Sequence, residues 1–174
     1  SRCILPASLP SVKLNESNVC TFCTSYERKL QAWDRTKATK ASEFEALLKK
    51  ARHLDRPYDC LIPLSGGKDS TYALYIAAKT HNLKCLCVTF DNGYLSEFAK
   101  SNIRNAVDST NSDHIYYTIN PNTLKSLYRL FLLKSGTFCP VCLRGIGLAT
   151  RFADRFDIPL VISGNGWRVQ YLSN

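Results

Sequence analysis

One six-residue segment combines the side chains and the backbone freedom needed to bind a phosphate group. Its residues are Ser65, Gly66, Gly67, Lys68, Asp69 and Ser70. An apolar run from Tyr58 to Leu64 precedes the segment and predicts a strand, and a helical pattern follows it. Glycines let the backbone turn tightly near an anion, and the N–H groups at a helix start favour negative charge. With the Lys68 cation and two serine hydroxyls added, the segment predicts a phosphate cradle.

Two other interpretations of this loop are a Walker A phosphate loop and a plain strand-to-helix turn. A Walker A loop has four residues between its first glycine and its Gly-Lys pair, whereas Gly66 and Gly67 are adjacent here. An ordinary P-loop NTPase is therefore excluded. A plain strand-to-helix turn with a solvated Lys68–Asp69 pair would also use glycine. That interpretation explains the glycines but not the whole segment, so we favour phosphate binding.

The segment Ser-Gly-Gly-Lys-Asp-Ser resembles the PP-loop of the N-type ATP pyrophosphatases, and the resemblance covers about residues 58 to 167. The superfamily includes GMP synthetase, tRNA thiolation enzymes and N-acetyl sugar amidotransferases. The resemblance implies that ATP is split into AMP and pyrophosphate to activate a substrate oxygen, after which nitrogen or sulfur displaces AMP. Lys68 and Asp69 would then be catalytic, since Lys68 neutralises phosphate charge and Asp69 helps to place Mg²⁺.

Alternating patterns after residue 57 predict an α/β fold, a Rossmann-like (adenine nucleotide alpha hydrolase-like) parallel sheet with helices on both faces. The predicted strands cover 58–64, 84–90, 114–119 and 160–163. Predicted helices begin near Asp69 and cover 96–109, 121–135 and 142–156. Ser42 and Glu45 form a capping box that predicts an earlier helix start. We expect a small Cys-containing segment at 1–40 and a PP-loop domain at 41–174 that is incomplete at its C-terminal end.

Two further corners of the predicted sheet could contact the nucleotide. The carboxyl ends of parallel strands collect ligands in open α/β sheets. In the PP-loop relatives the end of the second strand lies against adenosine, which assigns that role to Thr89, Phe90 and Asp91. Gly164 and Asn165 follow the fourth strand and would face the PP-loop. Asparagine cannot act as a base near neutral pH, so the sequence identifies no general base.

An N-terminal group of cysteines predicts a structural metal site. Cys3, Cys20 and Cys23 lie in a weakly periodic segment that needs an external staple, and Zn²⁺ favours thiolate ligands. The segment resembles the N-terminal region of N-acetyl sugar amidotransferases. In those relatives another cysteine lies three residues before the one that matches Cys3, a position that would precede Ser1. The fourth ligand therefore stays open.

A second pair, Cys139 and Cys142, occupies the start of a predicted helix, where the dipole stabilises thiolates. This Cys-x-x-Cys resembles the motif of tRNA thiolation enzymes, in which a later third cysteine completes an iron–sulfur site. No cysteine follows Cys142 in this chain. A structural pair of thiols is the alternative interpretation.

The three remaining cysteines, Cys60, Cys85 and Cys87, lie within apolar runs. A free cysteine in such a run behaves as a small hydrophobe, so we expect core packing for these three.

The net charge of +9 indicates an anionic partner, and no aromatic residues interleave with a basic cluster along the sequence. The chain has neither a charged-then-apolar leader nor a run of eighteen apolar residues. We therefore expect a cytoplasmic protein without a membrane partner.

Three functions remain open. The N-terminal cysteines favour an amidotransferase that acts on an N-acetyl sugar and is fed ammonia by a glutaminase partner. The pair at 139–142 and the basic charge favour a tRNA-thiolating enzyme served by a sulfur-carrier partner. The absence of an identified base would fit a nucleotide-binding module without turnover. We also expect that the protein can form a homodimer.

Overall fold

The computed structural model describes residues 2–164, apart from the side chains of residues 139, 140, 142–144 and 146. Asn165, which the sequence assigns to the nucleotide site, lies outside the described residues. The chain divides into two compact units, Ser1–Lys49 and Lys50–Asn174. No helix within the described range is both long and apolar enough to cross a membrane.

The first unit contains a short turn and most of one long helix, α1, which spans Thr21–Arg52. An antiparallel bridge between Leu14 and Cys20 closes the turn, and the Asn15 side chain accepts N–H bonds inside it. The predicted capping box is wrong, because Ser42 and Glu45 lie inside α1 rather than at its start. Residues 21–52 contain neither glycine nor proline, so nothing interrupts the helix over this range.

The second unit is built on a parallel sheet of three strands in the order β1–β2–β3. The strands are β1 (Cys60–Pro63), β2 (Cys85–Asp91) and β3 (Asp113–Thr118). The helices are α2 (Lys68–Tyr75), which continues into a π-helical segment (Ile76–Thr80), α3 (Glu97–Thr110), α4 (Pro121–Ser135) and α5 (Cys139–Arg155). The order of strands and helices agrees with the prediction.

The predicted fourth strand is reduced to a single parallel bridge between Val161 and Leu61. The Leu61 N–H donates to the Leu160 carbonyl over 2.8 Å, and the Ile162 N–H donates to the Leu61 carbonyl over 3.0 Å. These bonds place the 160–162 segment on the side of β1 opposite β2. The chain thus extends the sheet in both directions from β1, the arrangement in which open α/β sheets have a ligand crevice at the carboxyl end of the strand.

Both faces of the sheet are covered over β1 and most of β2, whereas β3 is more exposed. The successive residues Cys60, Leu61 and Ile62 of β1 are all fully buried, although their side chains point to alternate faces. On one face Leu61 packs in a cluster with Ala149 and Ala153 of α5. The sequence prediction for the internal cysteines is confirmed, since Cys60, Cys85 and Cys87 are buried. The unit has the Rossmann-like α/β fold expected from the sequence.

A buried hydrogen-bond chain links β3 through β2 to the residue before the loop. The Thr89 hydroxyl, fully buried, donates to the Leu64 carbonyl over 2.6 Å. His114 Nε2 lies 2.8 Å from the same oxygen. Because the only hydroxyl proton goes to Leu64, His114 Nε2 must be the donor to Thr89. Desolvation by burial lowers the pKa of His114 from its ordinary value of 6.5.

We predict that replacing His114 by Gln flattens the pH dependence of stability near neutrality. In the wild type the folded pKa lies below the unfolded one, so the unfolded chain binds more protons as pH falls. The free energy of unfolding of the wild type therefore has its full value above about pH 6.5 and declines below it. The glutamine amide keeps an N–H donor for Thr89 but does not titrate.

Urea unfolding of both proteins at about pH 7.5 and about pH 5 measures the difference, because it brackets the ordinary histidine pKa. The wild type should lose more stability than the variant between the two conditions. Parallel pH profiles would show that His114 is not a stability-linked titrating group.

Candidate functional site

The 65–70 loop leaves the carboxyl end of β1 and enters α2 at Lys68. Its two serine hydroxyls bond within the loop. Ser70 Oγ donates to the Gly67 carbonyl over 3.1 Å and accepts the Ser65 N–H over 3.2 Å. Ser65 Oγ lies 3.1 Å from Ser70 Oγ and accepts the Gly67 N–H over 3.4 Å. The serines therefore shape the loop, and the helix start itself has no side-chain cap.

Gly66 holds the loop against α3. Its φ of +77° is a left-handed conformation, and a Cβ there would lie 2.4 Å from the Ala99 carbonyl oxygen. Asn102 Nδ2 donates to the Gly66 carbonyl over 3.1 Å and fixes the loop from the same helix. A larger residue at position 66 cannot fit without moving the loop away from α3.

Gly164 approaches the same loop from the other side of the crevice. A Cβ at Gly164 would lie 2.5 Å from the Asp69 carbonyl oxygen and 2.9 Å from the Ser70 nitrogen. The structure thus brings together the two segments that the sequence assigned to one site, the PP-loop and the end of the fourth strand. Their backbones meet so closely that only glycine fits.

Lys68 and Asp69 point into solvent at the mouth of this crevice. Lys68 Nζ lies 2.6 Å from Asp69 Oδ1, while the two side chains are 88% and 68% exposed. An exposed ion pair of this kind contributes little to stability. Both groups can therefore change partners when an anion or a cation arrives, at little cost to the fold.

The end of β2 forms a corner next to the loop, and hydrogen bonds to Asp91 hold this corner in place. Asp91 Oδ1 accepts the Gly93 N–H over 2.8 Å, and Asp91 Oδ2 accepts the Tyr116 hydroxyl over 3.0 Å. Desolvation and this contact with Asp91 raise the pKa of Tyr116. Because Thr89 directs its hydroxyl at Leu64, its side chain is committed to the protein interior. Asp91 and Thr89 therefore shape the corner.

Phe90 opens onto a cavity of about 230 Å³ between the ends of β2 and β3 and the middle of α5. The cavity is lined by Phe90, Tyr117, Ile119, Gly147, Leu148 and Arg151. Phe90 and Tyr117 are register partners whose ring centroids lie 6.3 Å apart. Sequence reasoning found Phe90 but missed the other five residues. The strand register would have revealed Tyr117, whereas the α5 residues become neighbours only through tertiary packing.

In the N-terminal unit, Cys3, Cys20 and Cys23 form the cluster that the sequence predicted. Their sulfur atoms all lie within 4.8 Å of one another, and Cys3 Sγ is 3.4 Å from Cys20 Sγ. Tetrahedral zinc–sulfur bonds of about 2.3 Å would separate the sulfurs by about 3.8 Å. The group can hold a metal ion. Among the residues described, no fourth His, Cys, Asp or Glu joins it.

The start of α1 makes the three thiols unequal. Cys20 immediately precedes the helix, and the Cys23 N–H donates to Cys20 Sγ over 3.4 Å. This backbone bond is the main cause that lowers the pKa of Cys20. Side-chain bonds with Cys3 and Cys20 raise the pKa of Cys23 to about 12. The cluster thus favours Cys20 as its first thiolate.

The second cysteine pair lies at the N-terminus of α5, where the sequence placed it. α5 begins at Cys139 rather than at Cys142. Gly145, three residues after Cys142, lies against Phe90, where a Cβ would be 3.4 Å from the Phe90 Cβ. The Cys139–Cys142 motif therefore lies a few residues before the point where α5 contacts the end of β2.

No protein-family model matches the chain. The chain is similar to an uncharacterized protein of Methanocaldococcus jannaschii, with 27% identity over 126 residues. The match covers 72% of this chain and 43% of that protein, so the chain spans less than half the length of its relative. This similarity assigns no activity to the chain.

Proposed function

We propose that this protein is an ATP-dependent adenylating enzyme of the PP-loop type. The observation that carries the proposal is the crevice at the end of β1. There, an uncapped helix start, an exposed lysine and two close glycine backbones meet. A helix N-terminus favours anions through its free N–H groups and its dipole. The loop would hold the pyrophosphate part of ATP, and Lys68 would neutralise its charge.

The cavity at the end of β2 would take the adenine ring. It opens on the same edge of the sheet as the loop, one strand away. Its volume of about 230 Å³ is smaller than the pockets that enclose drug-sized ligands, so it suits one ring system rather than a whole nucleotide. Phe90 and Tyr117 offer aromatic walls, and the backbone of the 89–91 corner offers groups that can read the edge of the ring.

Catalysis in this proposal rests on positioning and electrostatics. The acceptor oxygen attacks the α-phosphate, pyrophosphate leaves, and nitrogen or sulfur then displaces AMP from the adenylate. Lys68 would stabilise the departing charge. Asp69 offers an exposed carboxylate for Mg²⁺, which would screen the phosphates when bound. The tight fit of Gly164 against residues 69 and 70 would keep these groups in register with the phosphates.

The N-terminal cysteines favour an N-acetyl sugar as the acceptor. Three thiols without oxygen ligands suit Zn²⁺, and the cysteine pattern is the feature in which this segment resembles the sugar amidotransferases. Ammonia would then come from a glutaminase partner.

A tRNA acceptor is the second candidate. The specific observation in its favour is the position of Cys139 and Cys142 in the first turn of α5, which leads to the Phe90 contact. In this version the pair belongs to an iron–sulfur centre that needs a further ligand, and a sulfur carrier supplies the second substrate. Both versions keep the same ATP site and suit a reducing cytoplasm.

Lys68→Ala should weaken the binding of MgATP by about tenfold or more, because a charge-assisted hydrogen bond contributes roughly 1.5–3 kcal/mol. Isothermal titration calorimetry measures this loss. Pyrophosphate release should fall by about 10² or more once an acceptor is supplied. The matched control is Lys79→Ala, which removes an exposed lysine from the opposite end of the same helical stretch.

Unfolding free energies of both lysine variants should stay within about 0.5 kcal/mol of wild type, as expected for exposed sites. Unchanged ATP affinity in Lys68→Ala would refute the proposed phosphate site. Tight ATP binding without AMP formation, with either sugar or tRNA present, would instead identify a non-catalytic nucleotide-binding module.

Gly164→Ala should reduce ATP affinity by displacing the first turn of α2, since its Cβ would lie 2.5 Å from the Asp69 carbonyl oxygen. The control is Gly136→Ala, where a Cβ meets nothing within 4 Å but φ is +67°. The control should cost about 1 kcal/mol of stability and leave ATP binding intact. Calorimetry and urea unfolding on both proteins separate the two effects. Equal ATP affinities would place the nucleotide away from Gly164.

Cys20→Ser should abolish the metal content of the N-terminal unit, because it removes the buried thiol that lies 3.4 Å from Cys3 Sγ and has the lowered pKa. Elemental analysis of anaerobically purified protein is expected to give about one zinc per wild-type chain and almost none in the variant. Cys87→Ala, which alters a buried core thiol, is the control that should retain zinc.

The same analysis distinguishes the two acceptor classes. A colourless zinc protein favours the sugar enzyme. A brown protein that contains iron, and that loses it in Cys139→Ser but not in Cys20→Ser, favours tRNA thiolation. Zinc that persists in Cys20→Ser would refute the assigned N-terminal site.

A further inference from the structure

Helix α1 gathers aromatic and lysine side chains on one face. At 3.6 residues per turn, seven residues of α1 fall within about a quarter of its circumference. They form what we call the α1 stripe: Phe22, Tyr26, Lys29, Trp33, Lys37, Lys40 and Phe44. Along the sequence these residues look scattered, and basic and aromatic residues do not interleave there. The helix interleaves them because their spacings follow its period.

Six of the seven stripe residues are exposed, and Lys29 is half-buried. Every residue from 31 to 47 is exposed, and Phe22 and Trp33 are 50% and 41% exposed. Most helices in proteins depend on packing of an apolar face for their stability. Six large apolar or aromatic side chains of α1 are exposed, and they indicate a surface that a partner covers: Phe22, Tyr26, Leu30, Trp33, Phe44 and Leu47.

The charges of the stripe define the chemistry of that partner. All three charged residues in the stripe are lysines. The acidic residues of α1 fall outside it, with Glu27, Asp34 and Glu45 on one flank and Glu43 on the other. A second copy of the chain that paired through this face would bring lysines into apposition. A partner with regular negative charges and planar groups is the complement.

We propose that the α1 stripe binds a single-stranded nucleic acid, with bases stacked on Phe22 and Trp33 and phosphates against Lys37 and Lys40. Aromatic platforms combined with cations that follow the backbone are how proteins bind single strands without reading sequence. Phe22 and Phe44 lie about 33 Å apart along the axis at 1.5 Å per residue, room for an extended strand. This surface lies within the first unit and does not depend on the proposed ATP site.

The test measures binding of fluorescein-labelled oligouridylate to the full chain by fluorescence anisotropy over a range of salt concentrations. Lys37→Gln combined with Lys40→Gln should reduce affinity and make the slope of log K against log salt less negative by about 1.4, at 0.7 for each phosphate contact. The matched control combines Arg28→Gln with Arg35→Gln, which removes the same charge from the opposite face of α1. The arginine control should retain most of the wild-type slope of log K against log salt.

Stacking is tested separately. Trp33→Ala should lower affinity about fivefold or more, the smallest effect expected for one stacked base, while Trp33→Phe restores most of it. Circular dichroism should show equal helix content in all variants, since the altered side chains are exposed.

Three results would overturn the proposal. Equal losses of affinity in the lysine and arginine variants would show that binding depends only on the overall basic charge of α1. Polyglutamate that binds as tightly as RNA, with no effect of Trp33→Ala, would point to an acidic protein partner. A dimer in sedimentation equilibrium that dissociates in Trp33→Ala would assign the stripe to a second copy of the chain. The ATP titrations of Lys68→Ala are unaffected by each of these outcomes.

Discussion

The second unit depends on the position of β1, which is hydrogen-bonded along both of its edges. β2 pairs with it on one side, and the 160–162 segment pairs with it on the other through Leu61. This arrangement turns the chain outward in opposite directions from the end of β1 and leaves a crevice there. The loop, the corner at Asp91 and the approach of Gly164 all follow from that one arrangement. A shift of β1 by one residue would exchange the side chains on its two faces, so that Leu61 would no longer pack against α5.

Much of this arrangement could be predicted from local patterns. The run at 85–88 is apolar throughout because its strand is covered on both faces, and Gly136 ends α4 in the left-handed conformation that glycine favours. The cluster of Cys3, Cys20 and Cys23 was also predictable, because zinc-binding thiols have a recognisable spacing. In each case the signal lies in a few neighbouring residues.

Other features required tertiary information. The predicted helix start at Ser42 was wrong because a capping box is a local pattern, and a helix that begins earlier can continue through the same residues. Tyr117 and Arg151 meet Phe90 only after the strands are in register and α5 is packed. The sequence predicts the hydroxyls of Ser65 and Ser70 as ligand donors, but their hydrogen bonds within the loop could not be read from it. Sequence gives the types of groups in the site, and only packing shows which of them face a ligand.

The burial of the internal cysteines has a practical consequence for chemical labelling. Cys60 and Cys85 are register partners with sulfur atoms 3.5 Å apart, and their mutual contact together with burial raises the pKa of Cys60. Burial likewise raises the pKa of Cys87 to about 12. All three thiols are buried, so a reagent in solution reaches them poorly while the sheet is intact. Alkylation of Cys60, Cys85 and Cys87, followed residue by residue so that the other cysteines do not contribute, would therefore report how often the sheet opens.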